Sequence, residues 1–298
     1  DPGYRDLYLG KHTDDEAYAR FLGMITNIDE NFGMLRDKLQ ALKIEDDTIL
    51  VFMSDNGQTG EFPYHNAGMR GMKGSPYEGG HRVPFFLRWP GGGMANAQSI
   101  HALSSYVDFM PTILDLCDVP VPTGRTFHGD SLKALLHGGD EDAWRERLTV
   151  TDTQRVPHPQ KWRLSCVMKN AWRLVNRYEL YDLTTDPGQQ ENIAEHHPQV
   201  VDELRQAYEA WWDLCSKQID HAIPHSIGGI EGQETVLRTH DLRNEAMVVW
   251  NQEQVRAGKE CHGYWEILVE REGTYEFDLR RWPQESDHAL TAGIEGDD

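Results

Sequence analysis

Asp55 and Asn56 stand side by side in Ser54-Asp55-Asn56-Gly57 and offer one charged and one neutral oxygen. Hard oxygens of this kind suit calcium, or magnesium as the alternative, whereas zinc favours nitrogen and sulfur. Lys73 follows in the same stretch, with His65, Arg70 and His81 near it and Gly68, Gly71, Gly74, Gly79 and Gly80 interleaved. Basic side chains beside a carboxylate fit recognition of an anion next to a metal ion. The glycines let the backbone approach such a ligand closely. Read singly, each feature has a plain structural meaning. Asp-Asn-Gly is an ordinary turn, and a basic loop can simply be solvated. Arg70 reads as a brace for the loop through Glu78 or a backbone carbonyl. His65 reads equally as a pocket residue or a surface histidine. The plain readings account for each residue but not for their company.

The elements that must position these residues are legible on both sides. Residues 13–43 carry Phe21, Leu22, Ile25, Ile28, Phe32, Leu35, Leu39 and Leu42 at three- and four-residue steps, which predicts one long amphipathic helix. Thr13 and Glu16 have capping-box spacing at its start. Thr48–Met53 is a continuous apolar run, the pattern of a buried strand in an α/β sheet, and it stops where Asp55 begins. Ligands in open α/β sheets bind beyond the carboxyl ends of strands. Residues 57–81 form a long glycine-rich loop, and 82–89 form a second buried strand. Helices are expected around Val107–Leu116, with Pro111 tolerated near the first turn, and from Asp130-Ser131-Leu132 onward. This order indicates α/β architecture.

The pattern changes after about residue 145. Segments 147–153, 162–168, 171–176 and 178–183 are short and strand-like, and Pro198–Ser216 is helical, which reads as a small antiparallel sheet with one packing helix. Beyond residue 220, Met247–Trp250, Tyr264–Glu270 and Thr274–Arg280 are strand-like and point to an appended β-rich domain. The tryptophans at 162, 172, 211, 212, 250 and 265 read as packing residues rather than a sugar platform.

Composition excludes some classes. The chain has 298 residues, 39% hydrophobic and 26% charged, which suits a packed globule. Its formal net charge is −20, so nucleic acid is not an expected partner. No run of 18 apolar residues occurs, and no membrane partner is expected. Cys117, Cys166, Cys215 and Cys261 form no C-x-x-C pair, which argues against a thiolate zinc site. Buried free thiols are the favoured reading, with disulfides left open. Residues 1–12 hold no apolar signal-peptide core, and both ends read as cuts in a longer chain. Oligomeric state is not legible.

Several ordered blocks carry a resemblance. Thr48–Gly57 resembles the S-D-N-G block of the sulfatase family. Asn66–Pro84 resembles that family's R-G-x-K, Y-E-G-G and R-V-P block, and Trp89-Pro90-Gly91 continues it. Val107–Leu114, Asp130-Ser131-Leu132, Glu179–Leu183, Asp186-Pro187 and Glu191–Ala194 match further blocks, so that the likeness covers residues 16–215. It implies the alkaline-phosphatase-like α/β/α fold, of which residues 1–145 would be the carboxy-terminal half. Residues 146–220 would be the α+β subdomain and 221–298 an appended sandwich-like β domain.

The resemblance also implies roles. Asp55 and Asn56 would be two ligands of a calcium site completed by acids upstream. Lys73 would contact the sulfate ester. His65, Arg70 and His158 would be further substrate-binding residues. The family nucleophile is a formylglycine made from a C-x-P-S-R or related motif, and none occurs here, so it is expected upstream. The implied activity is hydrolysis of an aryl or carbohydrate sulfate, with a sulfated small molecule or glycan as partner and a periplasmic or secreted location. Two alternatives stand beside it: a phosphodiesterase or phosphonate monoester hydrolase of the same superfamily, and an inactive fragment with a glycan-binding β module.

Overall fold

The computed structural model describes residues 2–59, 65–94, 97–156, 158–219, 221, 223–230, 232–244 and 248–293. The chain divides into two compact units, Asp1–Gln154 with Lys161–Asp213, and Arg155–Gln160 with Leu214–Asp298.

The first unit opens with a short helix α1 (Pro2–Arg5) and the long helix α2 (Glu16–Ala41). Asp15 caps α2, accepting from the Ala17 and Tyr18 amides at 2.9 and 3.1 Å. The expected cap, Thr13, instead accepts from the Asp15 amide at 3.1 Å. A carboxylate outcompetes a hydroxyl there because it also meets the positive end of the helix dipole. Strand β1 (Leu50–Met53), the single-turn helix α3 (Glu78–His81) and strand β2 (Phe85–Arg88) follow. β1 and β2 pair antiparallel, Leu50 opposite Arg88 and Met53 opposite Phe85. They were expected to be buried, but they form a two-stranded sheet that is half-exposed, with Phe86 at 65%. The predicted apolar face of α2 is likewise uncovered at Ile25, Ile28, Leu35 and Leu42. Length explains part of this. A 26-residue helix runs roughly 39 Å, and four-residue strands reach about 13 Å.

Helix α4 (Phe109–Leu116) is entered through a 3-10 turn at Tyr106–Asp108, and α5 (Lys133–Leu136) follows. Then come β3 (Leu148–Thr151), β4 (Cys166–Lys169), β5 (Trp172–Val175) and β6 (Glu179–Asp182), an antiparallel meander in chain order, and helix α6 (Pro198–Cys215). This is the predicted sheet and helix. Its main core is Val167, Leu174 and Leu180 from the strands with Val201, Leu204 and Tyr208 from α6. Each such side chain contributes roughly 1.5–3 kcal/mol by burial. Trp162, Trp172, Trp211 and Trp212 pack against it, as expected. Side chains alternate along a strand. So Cys166, Met168, Val175 and Tyr181 form a second cluster on the opposite face, and Tyr77 and Leu103 pack there.

The second unit has β7 (His225–Ile227), α7 (Gln252–Arg256) and β8 (Ile267–Val269), with β7 and β8 parallel. It holds less strand than expected. Met247 lies outside the described residues, and 248–250 and 274–280 form no strand. Phe277 and Leu279 are 68% and 70% exposed. Alternation alone does not make a strand where no neighbour takes its apolar side. Trp250, expected to pack, is 58% exposed. All four cysteines are free, but only Cys166 is buried. Among the described residues no helix is long and apolar enough to cross a membrane.

Candidate functional site

β1 delivers the Ser-Asp-Asn-Gly turn at its carboxyl end. The Ser54 hydroxyl donates to the Asn56 carbonyl at 2.9 Å, and Asn56 Nδ2 donates to the Gly57 carbonyl at 2.8 Å. The amide nitrogen of Asn56 is thereby engaged, and its oxygen is the end a cation would take. Asp55 beside it is exposed. Among the described residues no group of three or more His, Cys, Asp or Glu is set to hold a metal ion. Asp55 and Asn56 fit as two of the roughly six to eight oxygens that a calcium ion takes.

The glycine-rich loop folds back onto this turn. The Gly57 amide donates to the Gly80 carbonyl at 3.1 Å, and a Cβ on Gly57 would lie 1.8 Å from the Gly79 carbonyl oxygen. Only glycine permits that approach. Lys73 sits on a tight turn. The Ser75 amide donates to the Met72 carbonyl at 2.9 Å, and the Met72 amide donates to Ser75 Oγ at 3.1 Å. Gly71 and Gly74 flank Lys73, both at φ +85°. The Lys73 amide donates to the Gln58 carbonyl at 3.0 Å. The structure therefore brings the backbone of Lys73 alongside the Asp55-Asn56 turn, and its side chain is exposed. His65 is exposed at the loop's start. Asn66 Nδ2 ties the loop to itself, donating to the Met69 and Gly71 carbonyls at 3.0 and 2.9 Å. His158 is exposed and belongs to the second unit.

Arg70 is a brace through a carbonyl, but not through Glu78. Its Nη1 donates to Tyr181 Oη at 3.0 Å and to the Gln189 carbonyl at 2.9 Å, and its guanidinium lies 3.9 Å over the Tyr77 ring. Glu78 is 2% exposed and takes Arg173 of β5 instead, Nε to Oε1 at 2.7 Å. His81 and Arg82 also approach its carboxylate, at 3.2 and 3.5 Å. A carboxylate that deep needs a cation equally deep, and the Arg173 side chain is 8% exposed while that of Arg70 is 39%. Burial is the largest single influence on Glu78 and opposes its charge. The hydrogen bonds and charges of His81 and Arg173 together outweigh it and hold the carboxyl at about 2. Burial pushes the Tyr77 and Tyr181 phenols up, helped by hydrogen bonds from both to Glu179 at 2.9 and 2.5 Å. The thiol of Cys166 is raised to about 12 by burial, so it is inert at neutral pH.

Sequence reasoning named Glu78 as a support but with Arg70 as its partner, and it missed Arg173, Gln189 and Tyr181. One signal was present: Arg173 is a charge inside the buried run Trp172-Arg173-Leu174-Val175.

Residues 3–119 match the sulfatase family model, and residues 72–211 match the model of the N-sulphoglucosamine sulphohydrolase carboxy-terminal region. Residues 3–211 belong to the sulfatase family. An N-acetylgalactosamine-6-O-sulfatase of Bacteroides thetaiotaomicron is 27% identical over 247 residues, covering 68% of this chain and 46% of the relative. A choline-sulfatase of Rhizobium meliloti is 26% identical over 270 residues, 86% of this chain and 48% of the relative. A solved structure of a protein in complex with its substrate D-glucosamine-2-N,6-O-disulfate superposes with a TM-score of 0.52 at 24% identity, over 70% of this chain and 43% of that one. That likeness supports the α/β fold of the sulfatases. The chain spans about half the length of the curated relatives it matches.

Proposed function

We propose that this chain supplies the lysine and part of the metal site of a sulfuric ester hydrolase acting on an aryl or carbohydrate sulfate. The observation that carries the reading is the backbone junction of the two motifs, Lys73 to Gln58 and Gly57 to Gly80. It brings the backbone of the Asp55-Asn56 turn beside the turn that carries Lys73. The relatives' sulfatase names support the reaction class.

Each residue has a physical task in this reading. Asp55 and Asn56 would hold a calcium ion, with magnesium as the alternative, and the ion supplies Lewis-acid polarisation of the ester when bound. Lys73 neutralises negative charge that grows on the sulfuryl or leaving oxygen as the S–O bond breaks. A preplaced cation there acts most strongly on the transition state. His65 lines the substrate side of the same loop. Arg70 commits its Nη1 to Tyr181 and Gln189 and so orders the loop. The nucleophile would come from residues outside these 298.

The test is sulfate release by the complete reading frame, expressed with the enzyme that matures its nucleophile. Lys73→Ala is expected to lower kcat/KM roughly a hundredfold. A Lys73→Ala enzyme as fast as the parent sinks the assignment. Faster turnover of a matched phosphate ester than of the sulfate ester would move the reading to the phosphodiesterase class.

A further inference from the structure

The loop that presents Lys73 is held at both shoulders by one residue of the meander-and-helix part. Gln189 is fully buried and sits at φ +50°, a left-handed conformation closing the turn after Asp186. Its carbonyl accepts from Arg70 Nη1 at 2.9 Å, and its side-chain Oε1 accepts from the Glu78 amide at 2.8 Å. Arg70 and Glu78 bracket the Lys73 turn on either side. The Glu78 amide can only donate, so the oxygen end of the Gln189 amide must face it. Gln189 Nε2 is buried and has no hydrogen-bond partner among the described residues. Among the described residues, the side chain is therefore oriented by the loop, at the expense of a buried donor. The loop in turn is locked to itself between the two shoulders, since the Gly79 amide donates to the Arg70 carbonyl at 2.8 Å.

We propose that Gln189 is a positioning residue for Lys73, acting through Arg70 and Glu78. The inference rests on the reading of Lys73 given above and adds to it the residue that fixes its turn. Lys73 has a long flexible stem, and its free side chain would populate many rotamers. A fixed turn narrows the region its ammonium samples, and small displacements of a catalytic group cost large factors in rate.

Two measurements test this. The first uses the chain itself. Gln189→Met removes the side-chain acceptor, keeps the carbonyl and volume, and relieves the buried orphan donor. Hydrogen exchange of the Lys73 and Gly79 amides should speed up about fivefold, the worth of one hydrogen bond. Exchange of the Val167 and Leu174 amides in the core strands should not change. Unchanged loop exchange overturns the proposal, and so does equal acceleration in loop and core.

The second uses the complete enzyme. Gln189→Met should lower kcat for a sulfate ester roughly tenfold, with KM within about twofold. In a Lys73→Ala background it should lower kcat no further. If Lys73→Ala is as fast as the parent, the reading of Lys73 fails and this inference falls with it. If Lys73→Ala is slow but Gln189→Met leaves kcat intact, or slows both backgrounds equally, the inference fails alone.

Discussion

Replacing Glu78 by Gln keeps the shape of a buried side chain and removes its charge. Arg173 then stays 8% exposed with no carboxylate at 2.7 Å. It keeps hydrogen bonds from Nη1 to the Asn170 and Trp172 carbonyls, at 2.7 and 3.0 Å, but these do not balance a full charge. Stripping one partner from a buried pair typically costs about 3–5 kcal/mol. The depressed carboxyl gives a figure of the same order. A carboxyl moved from its ordinary 4.5 to about 2 contributes on the order of 3 kcal/mol. The sign follows from the direction of the shift. The folded value is depressed, so the contribution is complete above pH 4.5 and is lost as pH falls toward about 2. Urea unfolding followed by tryptophan emission would read the effect through Trp162 and Trp172, which pack on the affected sheet. Glu78→Gln is expected to lose about 3 kcal/mol at pH 7. Arg173→Met should lose a similar amount, and the double variant should lose clearly less than the sum. The gap between wild type and Glu78→Gln should close as pH falls from 4.5 toward 2, and 0.5 M salt, about the Debye regime of a few ångströms, should leave it nearly intact because the pair is buried. A Glu78→Gln cost below about 0.5 kcal/mol, or strict additivity with Arg173→Met, would refute the argument that this pair anchors the loop.

Two further outcomes follow from local geometry. Gly57→Ala and Gly33→Ala should move stability in opposite directions. A Cβ on Gly57 would lie 1.8 Å from the Gly79 carbonyl oxygen, so thermal denaturation should show a loss of about 1–3 kcal/mol and faster exchange at Gly80. A Cβ on Gly33, inside α2, meets nothing within 4 Å, so the same measurement should show a gain of about 0.5–1 kcal/mol from helix propensity. Tyr208→Phe keeps the ring stacked 3.7 Å from Trp162 but removes the hydroxyl that accepts from the Trp162 amide at 2.8 Å. Chemical denaturation should show a cost of about 1–3 kcal/mol, while Trp162 emission in the folded state stays nearly unshifted.

Much of the fold is legible because it is periodic. The strand runs at Cys166, Trp172 and Glu179 and the 3.6-residue spacing of α6 mark a sheet and its packing helix, and the core joins them as expected. The Asp55, Asn56 and Lys73 motifs are legible for a different reason: their residue types and glycines are unusual together. Failures came where the pattern depends on a neighbour. Thr48–Met53 reads as buried, yet among the described residues β1 pairs with no strand but β2 and remains half-exposed. Tyr275, Phe277 and Leu279 alternate like a strand, but among the described residues no strand pairs with them, and Phe277 and Leu279 stay exposed. A periodic pattern shows which side of an element is apolar. It does not show whether anything in the chain covers that side.

The supports of the loop follow from strand register more than from motif. Leu174 points at α6, so Arg173 and Val175 must point the other way, and the same holds for Glu179 and Tyr181 around Leu180. In register, Arg173 lies opposite Tyr181, and Val175 lies opposite Glu179. The face away from α6 therefore carries an arginine, a glutamate and a tyrosine among apolar residues. A sheet face of that kind suits neither bulk water nor a dry core, because its aliphatic members need cover and its polar members need partners. A glycine-rich loop meets both needs. Its backbone is slim enough to lie close, and Arg70, Tyr77 and Glu78 bring the complementary polar groups. The charge in Trp172-Arg173-Leu174-Val175 thus marks the place where the small sheet grips the loop that presents Lys73.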